Sequence, residues 1–461
     1  MATAPNPTGF ILHGTLIDAP TPHALRIREG AFCVVGADGV IAQICSAETE
    51  LRDEYGMMPM TLLPQTQMVV PGLIDLHIHA PQFKQLGTKT DIPLMEWLEK
   101  YTYPAEIAFA STVHASSIYP KLVAHLLKNG TTTAVLFGSN HLAATQVLAE
   151  ACAAAGLRAL VGKTCADTLT PAEYIESTEG SLRETEEFVQ WCNERWGGGP
   201  TAIVRPVVTP RFIPTCTKEL LAGLGEIAQR YDCFVQSHAA ESVDEEALVE
   251  MQHPGSRDVA IFRDAGLLGS KTILAHCCRL RDAEARDMEQ AGAAVVSCPF
   301  SNILFARATV PIPRYLHDFP ALKIGMGTDI AGGFGTMLDN MRIAILQDRI
   351  DSFAAVARAD TTAGAAGETP PPANWMVDFK YAFHLATASG ARALGLEDVV
   401  GKFEDGMRFD ALLLDCDLGD GQRFTRFGDE GVGELFEKWV TTGDDRNVLR
   451  VWVDGKLVRG A

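Results

Sequence analysis

The stretch Pro71-Gly-Leu-Ile-Asp-Leu-His-Ile-His-Ala80 places two histidines in one apolar run. Leu73 to His79 is typical of a buried β-strand, and residues two apart on a strand project from the same face. His77 and His79 therefore present both imidazoles at the carboxyl end of this strand, where together they could hold one metal ion. The pair alone is weak evidence, because 12 histidines in 461 residues produce roughly 0.3 such pairs by chance.

Seven further apolar runs follow the first and alternate with helical patterns such as YPKLVAHLLKNG and KELLAGLGEIAQRY. The runs are TTTAVLF (131–137), RALVGK (158–163), AIVRPVV (202–208), CFVQSHA (233–239), TILAHC (272–277), AAVVSC (293–298) and KIGMGTD (323–329). This alternation is typical of βαβ units and a parallel sheet. Eight such strands predict a (β/α)8 TIM barrel, whose chemistry lies at the carboxyl ends of the strands.

Both ends of the chain differ from this middle, because they consist of short strand patterns separated by Asp-Gly turns at 38–39 and 454–455. We therefore predict one small β-sandwich domain built from residues 1–70 and 391–461. The barrel is expected to occupy residues 71–390. Ala359 to Pro372 is small, polar and proline-rich, which predicts a surface loop or a partly disordered insertion.

The composition excludes several functional classes. The formal net charge of −19 disfavours binding to a nucleic-acid backbone, which requires clustered lysine and arginine. The first residues lack the pattern of a secretory signal, and no apolar run is long enough to suggest a membrane span. Eleven scattered cysteines without a CxxC pair favour reduced thiols in a cytoplasmic protein.

Three more metal-competent residues fall at the carboxyl ends of later predicted strands. These are His238 on strand five, His276 on strand six and Asp329 on strand eight. With His77 and His79 they would converge on one barrel mouth, and nitrogen and oxygen ligands without a thiolate suit zinc, or iron and other first-row metals. Zinc lowers the pKa of bound water from 15.7 to about 7, so hydrolysis would need no serine or cysteine nucleophile.

The remaining histidines occupy helical, loop or terminal contexts and are interpreted as structural. They are His13, His23, His114, His125, His253, His317 and His384, together with His141, which follows strand two. Glu241 is different, because it follows His238 by three residues and would lie in the loop above the metal. Its carboxyl group is therefore a candidate acid or base.

These residues resemble the amidohydrolase superfamily, whose members carry HxH on strand one, histidines on strands five and six, and aspartate on strand eight. The resemblance covers nearly the whole chain and implies the same barrel with a β-sandwich from both termini. Two-metal members usually carry a bridging lysine on strand four. Here strand four ends in Val-Val-Thr-Pro-Arg and Lys163 lies one strand early, which implies a single metal ion per chain.

Longer segments resemble the guanine deaminase family within that superfamily. They are HIHAPQ (77–82), PLMEWLEKYTYPAE (93–106), TPRF (209–212), QSHAAE (236–241), CPFSN (298–302) and GTDIAGG (327–333). In that family the matching residues hold the purine, so the resemblance implies that Gln82, Arg211 and Phe212 bind guanine. The chemistry agrees, because arginine has only donors and suits the 6-carbonyl of guanine, while Phe212 offers a stacking face and Gln82 both a donor and an acceptor.

The resemblance implies zinc-dependent hydrolysis of guanine to xanthine and ammonia by a homodimer. Glu241 would serve the ring nitrogen and Asp329 the water and the leaving group, with His276 in the catalytic group as well as in the metal site. The alternatives are another mononuclear amidohydrolase acting on a modified purine, a pterin or a triazine, and an inactive amidohydrolase-fold scaffold. The cytidine-deaminase type of zinc site is excluded, because neither H-x-E nor P-C-x-x-C occurs.

Overall fold

The computed structural model describes residues 9–361, 376–421 and 423–460, with the side chains of 353–361 outside that description. The strands are β1 (Phe10–Thr21), β2 (Ala24–Val35), β3 (Ile41–Cys45), β4 (Met60–Leu62), β5 (Gln67–Pro71), β6 (Leu73–His79), β7 (Thr131–Phe137), β8 (Arg158–Gly162), β9 (Thr164–Cys165), β10 (Val204–Pro210), β11 (Phe234–Ala239), β12 (Thr272–His276), β13 (Ala294–Ser297), β14 (Lys323–Met326), β15 (Ala411–Asp415), β16 (Val448–Val453) and β17 (Lys456–Arg459).

The central strands form a parallel barrel in the order β6, β7, β8, β10, β11, β12, β13 and β14, with the two-residue strand β9 beside β10. Residues just after β14 close the barrel onto β6, because Asp329 donates its backbone N–H to His77 and His79 donates to Ile330, both at 2.9 Å. The eight apolar runs of the sequence each overlap one of these strands, so the predicted TIM barrel is confirmed. Strand β9 has no counterpart among the predicted runs.

The amino end of the barrel is filled by side chains rather than by a site. Inward residues of the strands, among them Ile74, Leu160 and Phe234, form one buried apolar cluster with Leu396 and Val400 from beyond the barrel. Packing of this kind excludes water from the half of the barrel at the amino ends of its strands. Polar side chains are therefore concentrated at the opposite, carboxyl end.

The terminal strands form a second, mixed sheet in the order β17, β16, β15, β5, β1, β2, β3, with β4 beside β1. Leu12 and Cys33 from the first part of the chain share a buried cluster with Leu413 and Trp452 from the last part. One hydrophobic core therefore unites both chain ends, as predicted. The short strand β4 is an addition to the prediction.

Helices cover the barrel and connect its strands. They are α1 (Leu94–Trp97), α2 (Tyr103–Ile107), α3 (Thr112–Lys128), α4 (Leu142–Ala155), α5 (Thr178–Trp196), α6 (Lys218–Arg230), α7 (Val243–Gln252), α8 (Asp258–Asp264), α9 (Asp282–Ala291), α10 (Pro299–Ser301), α11 (Ile312–Asp318), α12 (Met337–Thr361), α13 (Phe379–Leu385), α14 (Ala388–Ala393) and α15 (Val432–Thr442). Helix α6 shows how the sequence specifies them, because the Thr217 side chain caps its first turn and Leu220, Leu221 and Leu224 bury one face.

Helix α15 departs from the prediction of β structure throughout the C-terminal segment. Its buried residues Leu435, Phe436, Trp439 and Val440 recur at helical spacing, and they pack in the main core. That spacing was present in the sequence. The C-terminal segment therefore supplies a helix for the barrel exterior in addition to strands.

The predicted loop at Ala359 to Pro372 is only partly described. Residues 359–361 are the last turn of α12 rather than a loop, and residues 362–372 lie outside the described part of the chain. Among the helices that the structure describes, none is both long and apolar enough to span a membrane. All eleven cysteines are free thiols.

Candidate active site at the carboxyl end of the barrel

The five predicted metal ligands converge at the carboxyl ends of the strands. His77 and His79 end β6, His238 lies in β11, His276 ends β12, and Asp329 follows β14. The Nε2 atoms of His79 and His238 are 2.9 Å apart, and Asp329 Oδ1 lies 3.2 Å from His77 Nε2 and 3.6 Å from His79 Nε2. All five side chains are buried, and they supply overlapping groups of ligand atoms within 4.8 Å of one another.

Neighbouring groups orient the imidazoles toward a common centre. His238 Nδ1 lies 2.6 Å from the backbone oxygen of Arg211, and His276 Nδ1 lies 2.8 Å from Asn302 Oδ1. Because these oxygens accept, each Nδ1 carries the hydrogen and each Nε2 keeps its lone pair. His77 Nε2 is buried, and its polar neighbour is Asp329 Oδ1, itself a predicted ligand. Lone pairs that face one another in this way suit a shared cation.

The electrostatics favour the ligand forms of these residues. Burial holds the pKa of His79 and His238 well below its usual value, and the charge of His77 acts in the same direction. Burial opposes ionisation of Asp329, but its interactions with His77, together with the charges of His276 and His79, hold its pKa well below the usual value. Neutral imidazoles and an ionised carboxylate are the forms that bind a metal ion. The residues present therefore fit a first-row metal site.

The backbone at these ligands is held in an uncommon conformation. His276 and Asp329 have φ values of 69° and 49°, in the left-handed region that residues with a Cβ rarely adopt. Asp75 stabilises the segment around Asp329 by accepting from Thr328 N at 2.9 Å and from Thr328 Oγ1 at 2.6 Å. Such strain requires support from the surrounding structure and is frequent at functional sites.

Glu241 lies in the loop after β11 with Oε1 3.9 Å from His276 Nε2. Burial raises the pKa of Glu241, which favours a proton on its carboxyl group near the metal ligands. The backbone N–H of Glu241 donates to Glu245 Oε2 at 2.6 Å, and this hydrogen bond stabilises the loop that carries Glu241. The carboxyl group thus has the position and the environment of an acid or base.

A cavity opens directly above the metal ligands, and its wall is largely apolar. Its lining includes Leu94, Met95, Trp97, Leu98, Phe212 and Phe305, together with the polar residues Gln82, Arg211, Glu241, Ser242, Glu245 and Ser301. An apolar wall with polar groups that converge on one point is typical of a site for a small molecule. The three predicted substrate-binding residues therefore share one pocket with all the predicted metal ligands except His77, which lies beneath it.

Arg211 and Phe212 follow β10 directly. The Phe212 ring lies edge-on to the His238 ring with 6.3 Å between centroids, and its backbone pairs with that of His238. Burial lowers the pKa of Arg211, but the charge and hydrogen bond of Glu106, together with Tyr103 and Tyr174, raise it above its ordinary value. The guanidinium therefore remains charged inside the pocket wall.

Glu106 was not among the predicted site residues, although it ends the quoted segment 93–106. Its Oε1 accepts from Gln82 Nε2 at 2.9 Å and its Oε2 accepts from Arg211 Nη1 at 2.6 Å. The sequence signal was a glutamate next to aromatic residues in helix α2. Nothing in its spacing could link it to Gln82 or Arg211.

Two other positions bear on the prediction. Trp97, which was not among the predicted site residues, is buried and also lines the cavity, where its ring centroid lies 4.9 Å from that of Phe305. His141, the excluded histidine that follows strand two, contacts Tyr174 and is not among the residues that line the cavity. Asn302, which orients His276, was quoted within segment 298–302 but had no assigned role.

Comparison with known proteins gives matches along almost the entire chain. Residues 68–458 match the amidohydrolase family. The chain is 35% identical to the guanine deaminase of Mus musculus over 98% of its own length and 97% of that protein. It is also 35% identical to the guanine deaminase of Dictyostelium discoideum, with 97% of this chain and 98% of that protein covered.

A solved structure resembles the fold as a whole. The guanine deaminase from C. acetobutylicum, crystallised with guanine bound in its active site, superposes with a TM-score of 0.86 at 30% identity. The match covers 98% of this chain and 100% of the other. Both domains of the fold are therefore shared.

Proposed function

The chain belongs to the amidohydrolase family and, within it, to the guanine deaminases, and on that premise we propose that it hydrolyses guanine to xanthine and ammonia. The observation that carries this proposal is the pocket that joins Arg211, Gln82 and Phe212 to the metal ligands and to Glu241. The relatives lend support, because they match this chain over nearly their whole length.

The metal ion is proposed to be one Zn2+ per chain, held by His77, His79, His238, His276 and Asp329. The nitrogen and oxygen donor set supports this choice, and the fully buried Lys163 binds Glu176 rather than the metal ligands. When bound, the ion would activate water for attack at neutral pH. The remaining chemistry belongs to side chains of the protein.

In the proposed reaction water adds its oxygen to carbon 2 of guanine, and the bond from that carbon to the exocyclic nitrogen then breaks. Glu241 would donate a proton to the adjacent ring nitrogen, as its raised pKa supports. Asp329, whose pKa is depressed, would accept a proton from water and pass it to the departing ammonia. As the bond to nitrogen breaks, the carbon-2 hydroxyl becomes a carbonyl and its proton returns to Glu241. Glu241 and Asp329 therefore end in their starting forms, and the products are xanthine and one molecule of ammonia.

Substrate recognition is proposed to use Arg211 for the 6-carbonyl, Gln82 for the neighbouring edge and Phe212 for the ring face. Arginine has only donors, so it would pair with a carbonyl but would face the amino donors of adenine unfavourably. The buried position of Arg211 makes an unpaired donor costly. Preference for an oxo group over an amino group follows from this arrangement.

Three wider proposals accompany the reaction. We propose a homodimer, as the family resemblance implies, and a cytoplasmic location, which eleven free thiols favour. The division into a β domain from residues 1–70 and 391–461 and a barrel from 71–390 is also kept as a proposal. Light scattering and limited proteolysis would test the first and the third.

The decisive experiment follows the ultraviolet spectrum of guanine with purified, zinc-loaded protein. Conversion to the spectrum of xanthine with release of one equivalent of ammonia is the expected result. Metal analysis should give one zinc per chain. An unchanged spectrum from a fully loaded sample would exclude the proposed activity, and faster turnover of a pterin or a triazine in the same assay would redirect it.

A further inference from the structure

The buried carboxylate of Glu106 joins two polar residues of the pocket, Gln82 and Arg211. Its two oxygens accept from different partners, one from Gln82 Nε2 at 2.9 Å and the other from Arg211 Nη1 at 2.6 Å. All three side chains are buried. The distance between the Gln82 and Arg211 side chains is therefore set by Glu106, because both bind the two oxygens of its carboxylate.

This contact determines which end of the Gln82 amide remains available. A carboxylate paired with arginine offers only acceptors, so the amide nitrogen of Gln82 must face Glu106. The amide oxygen is left at the other side, where its nearest donor is the backbone of Ala331 at a long 3.5 Å. Gln82 is thus held as an acceptor, although a free glutamine could present either a donor or an acceptor.

Arg211 complements Gln82. Its Nη1 is committed to Glu106, and it borders the cavity with the donors of the remaining guanidinium. The Tyr103 ring lies 5.2 Å from its Cζ and limits the movement of the guanidinium plane. The wall of the pocket therefore presents an acceptor beside a donor, at a separation set by Glu106.

We infer that Glu106 is a positioning residue that makes the pocket selective for a lactam edge, meaning a ring N–H next to a carbonyl. This inference rests on the proposed function and specifies its substrate class. A lactam supplies the N–H that Gln82 Oε1 accepts and the carbonyl that Arg211 binds. An amidine edge, with a ring nitrogen next to an amino group, presents the opposite pattern at both positions.

Binding of two unreactive purines tests the inference without turnover. Hypoxanthine carries the lactam edge and adenine the amidine edge, and neither has an amino group at carbon 2. Calorimetry with the zinc-loaded protein should show tighter binding of hypoxanthine, by about 100-fold or more, because each mismatched buried group is penalised. A wild-type protein that binds both equally, or neither, overturns the inference.

The variant Glu106→Gln should reduce that preference by about 10- to 100-fold, because its neutral amide lets the Gln82 amide reverse. With guanine, the loss should fall mainly on KM rather than kcat, because Glu106 does not touch the reacting atoms. An unchanged ratio of the two affinities would contradict the inference. The matched control is Glu176→Gln, which alters a partly buried glutamate that pairs with Lys163 away from the cavity and should keep the wild-type ratio.

A second variant keeps the ion pair intact in case Glu106→Gln fails to fold. Gln82→Met removes the acceptor with little change in size while Arg211 remains paired with Glu106. It should weaken hypoxanthine about tenfold and should not weaken adenine, because it removes one mismatch with adenine. An equal loss for both would show that Gln82 is not held as an acceptor. Failure of the wild type to deaminate guanine would count against the proposed function alone, since the binding ratios stand without turnover.

Discussion

The two ends of the barrel each contain a buried ion pair between arginine and a carboxylate, but the pairs differ in geometry. At the amino end Arg158 and Asp410 form two hydrogen bonds of 3.0 and 3.1 Å, and their side chains are 1% and 2% exposed. At the carboxyl end Arg211 and Glu106 share one contact, with side chains 4% and 1% exposed. The first pair joins a barrel strand to the β domain, whereas the second leaves polar atoms for the pocket.

The backbone shows the same contrast. Four non-glycine residues with left-handed φ values follow or end barrel strands at the carboxyl end, namely Ala240, His276, Cys277 and Asp329, with φ between 49° and 69°. The amino end instead holds the apolar cluster around Leu160 and Phe234. Two of the predicted metal ligands thus have an uncommon backbone conformation where chemistry is expected, and apolar packing fills the opposite end. Substitutions at the two ends should separate activity from stability.

The largest effect is expected for Asp329→Asn at the carboxyl end. The side chain keeps its shape but cannot accept a proton, so kcat for guanine should fall by about 10⁴-fold. The melting temperature should change little, because the strained end contributes little to stability. Steady-state kinetics with metal analysis would measure this, and Asp318→Asn on the exposed end of α11 is the control. A residual kcat above a tenth of wild type would contradict the role of Asp329.

Arg158→Met should show the opposite behaviour at the amino end. It leaves Asp410 buried without its cation, so the free energy of unfolding should fall by about 3–5 kcal/mol. The folded fraction should retain kcat/KM, because the pair lies across the barrel from the pocket. Denaturant unfolding and kinetics on the same sample would test this. An unchanged free energy of unfolding in Arg158→Met would contradict a stabilising role for the ion pair at the amino end.

Glu241→Gln tests whether Glu241 is the proton donor at the carboxyl end of the barrel. The amide cannot deliver a proton, so kcat should fall about 10²- to 10³-fold while the metal content remains at the wild-type level. Burial raises the pKa of Glu241, so the protonated acid persists to higher pH and wild-type kcat should decline as pH rises through that raised value. The variant should lack this decline. Loss of metal along with activity would instead indicate a structural role.

The smallest expected effect is a pH-dependent change in the free energy of unfolding, caused by the buried carboxyl groups of Asp258 and Glu245. Burial raises the pKa of Asp258 to about 6 and that of Glu245 well above its usual value. A raised pKa means that the folded state holds its proton more tightly than the unfolded chain, so this stabilisation is present below about pH 4 and is lost as pH rises through 6.

Asp258→Asn should therefore gain stability relative to wild type between pH 4 and 7, by on the order of 2 kcal/mol. Urea unfolding at several pH values would measure the difference. Asp410→Asn at the amino end is the comparison, and it should destabilise the protein because it removes the charge that pairs with Arg158. If the difference in the free energy of unfolding between Asp258→Asn and wild type did not vary with pH, a raised pKa of Asp258 in the folded protein would be ruled out.

Local patterns predicted much of this molecule. Each of the eight apolar runs carries a barrel strand, because strand length and apolar content are properties of consecutive residues. The ligand positions followed from topology, since parallel strands bring their carboxyl ends together. The β domain also followed, because strand patterns at both termini had to bury their apolar faces. Helix α15 was missed although its spacing was visible.

The tertiary structure alone decided how the residues of the pocket depend on one another. The sequence by itself determined the barrel, the residues available to a metal ion and the family resemblance, since these rest on patterns within short segments. It could not show that Glu106 holds Gln82 and Arg211, that Asn302 orients His276, or that Asp75 binds Thr328. Those hydrogen bonds join residues far apart in the chain, and their partners are set by packing rather than by spacing.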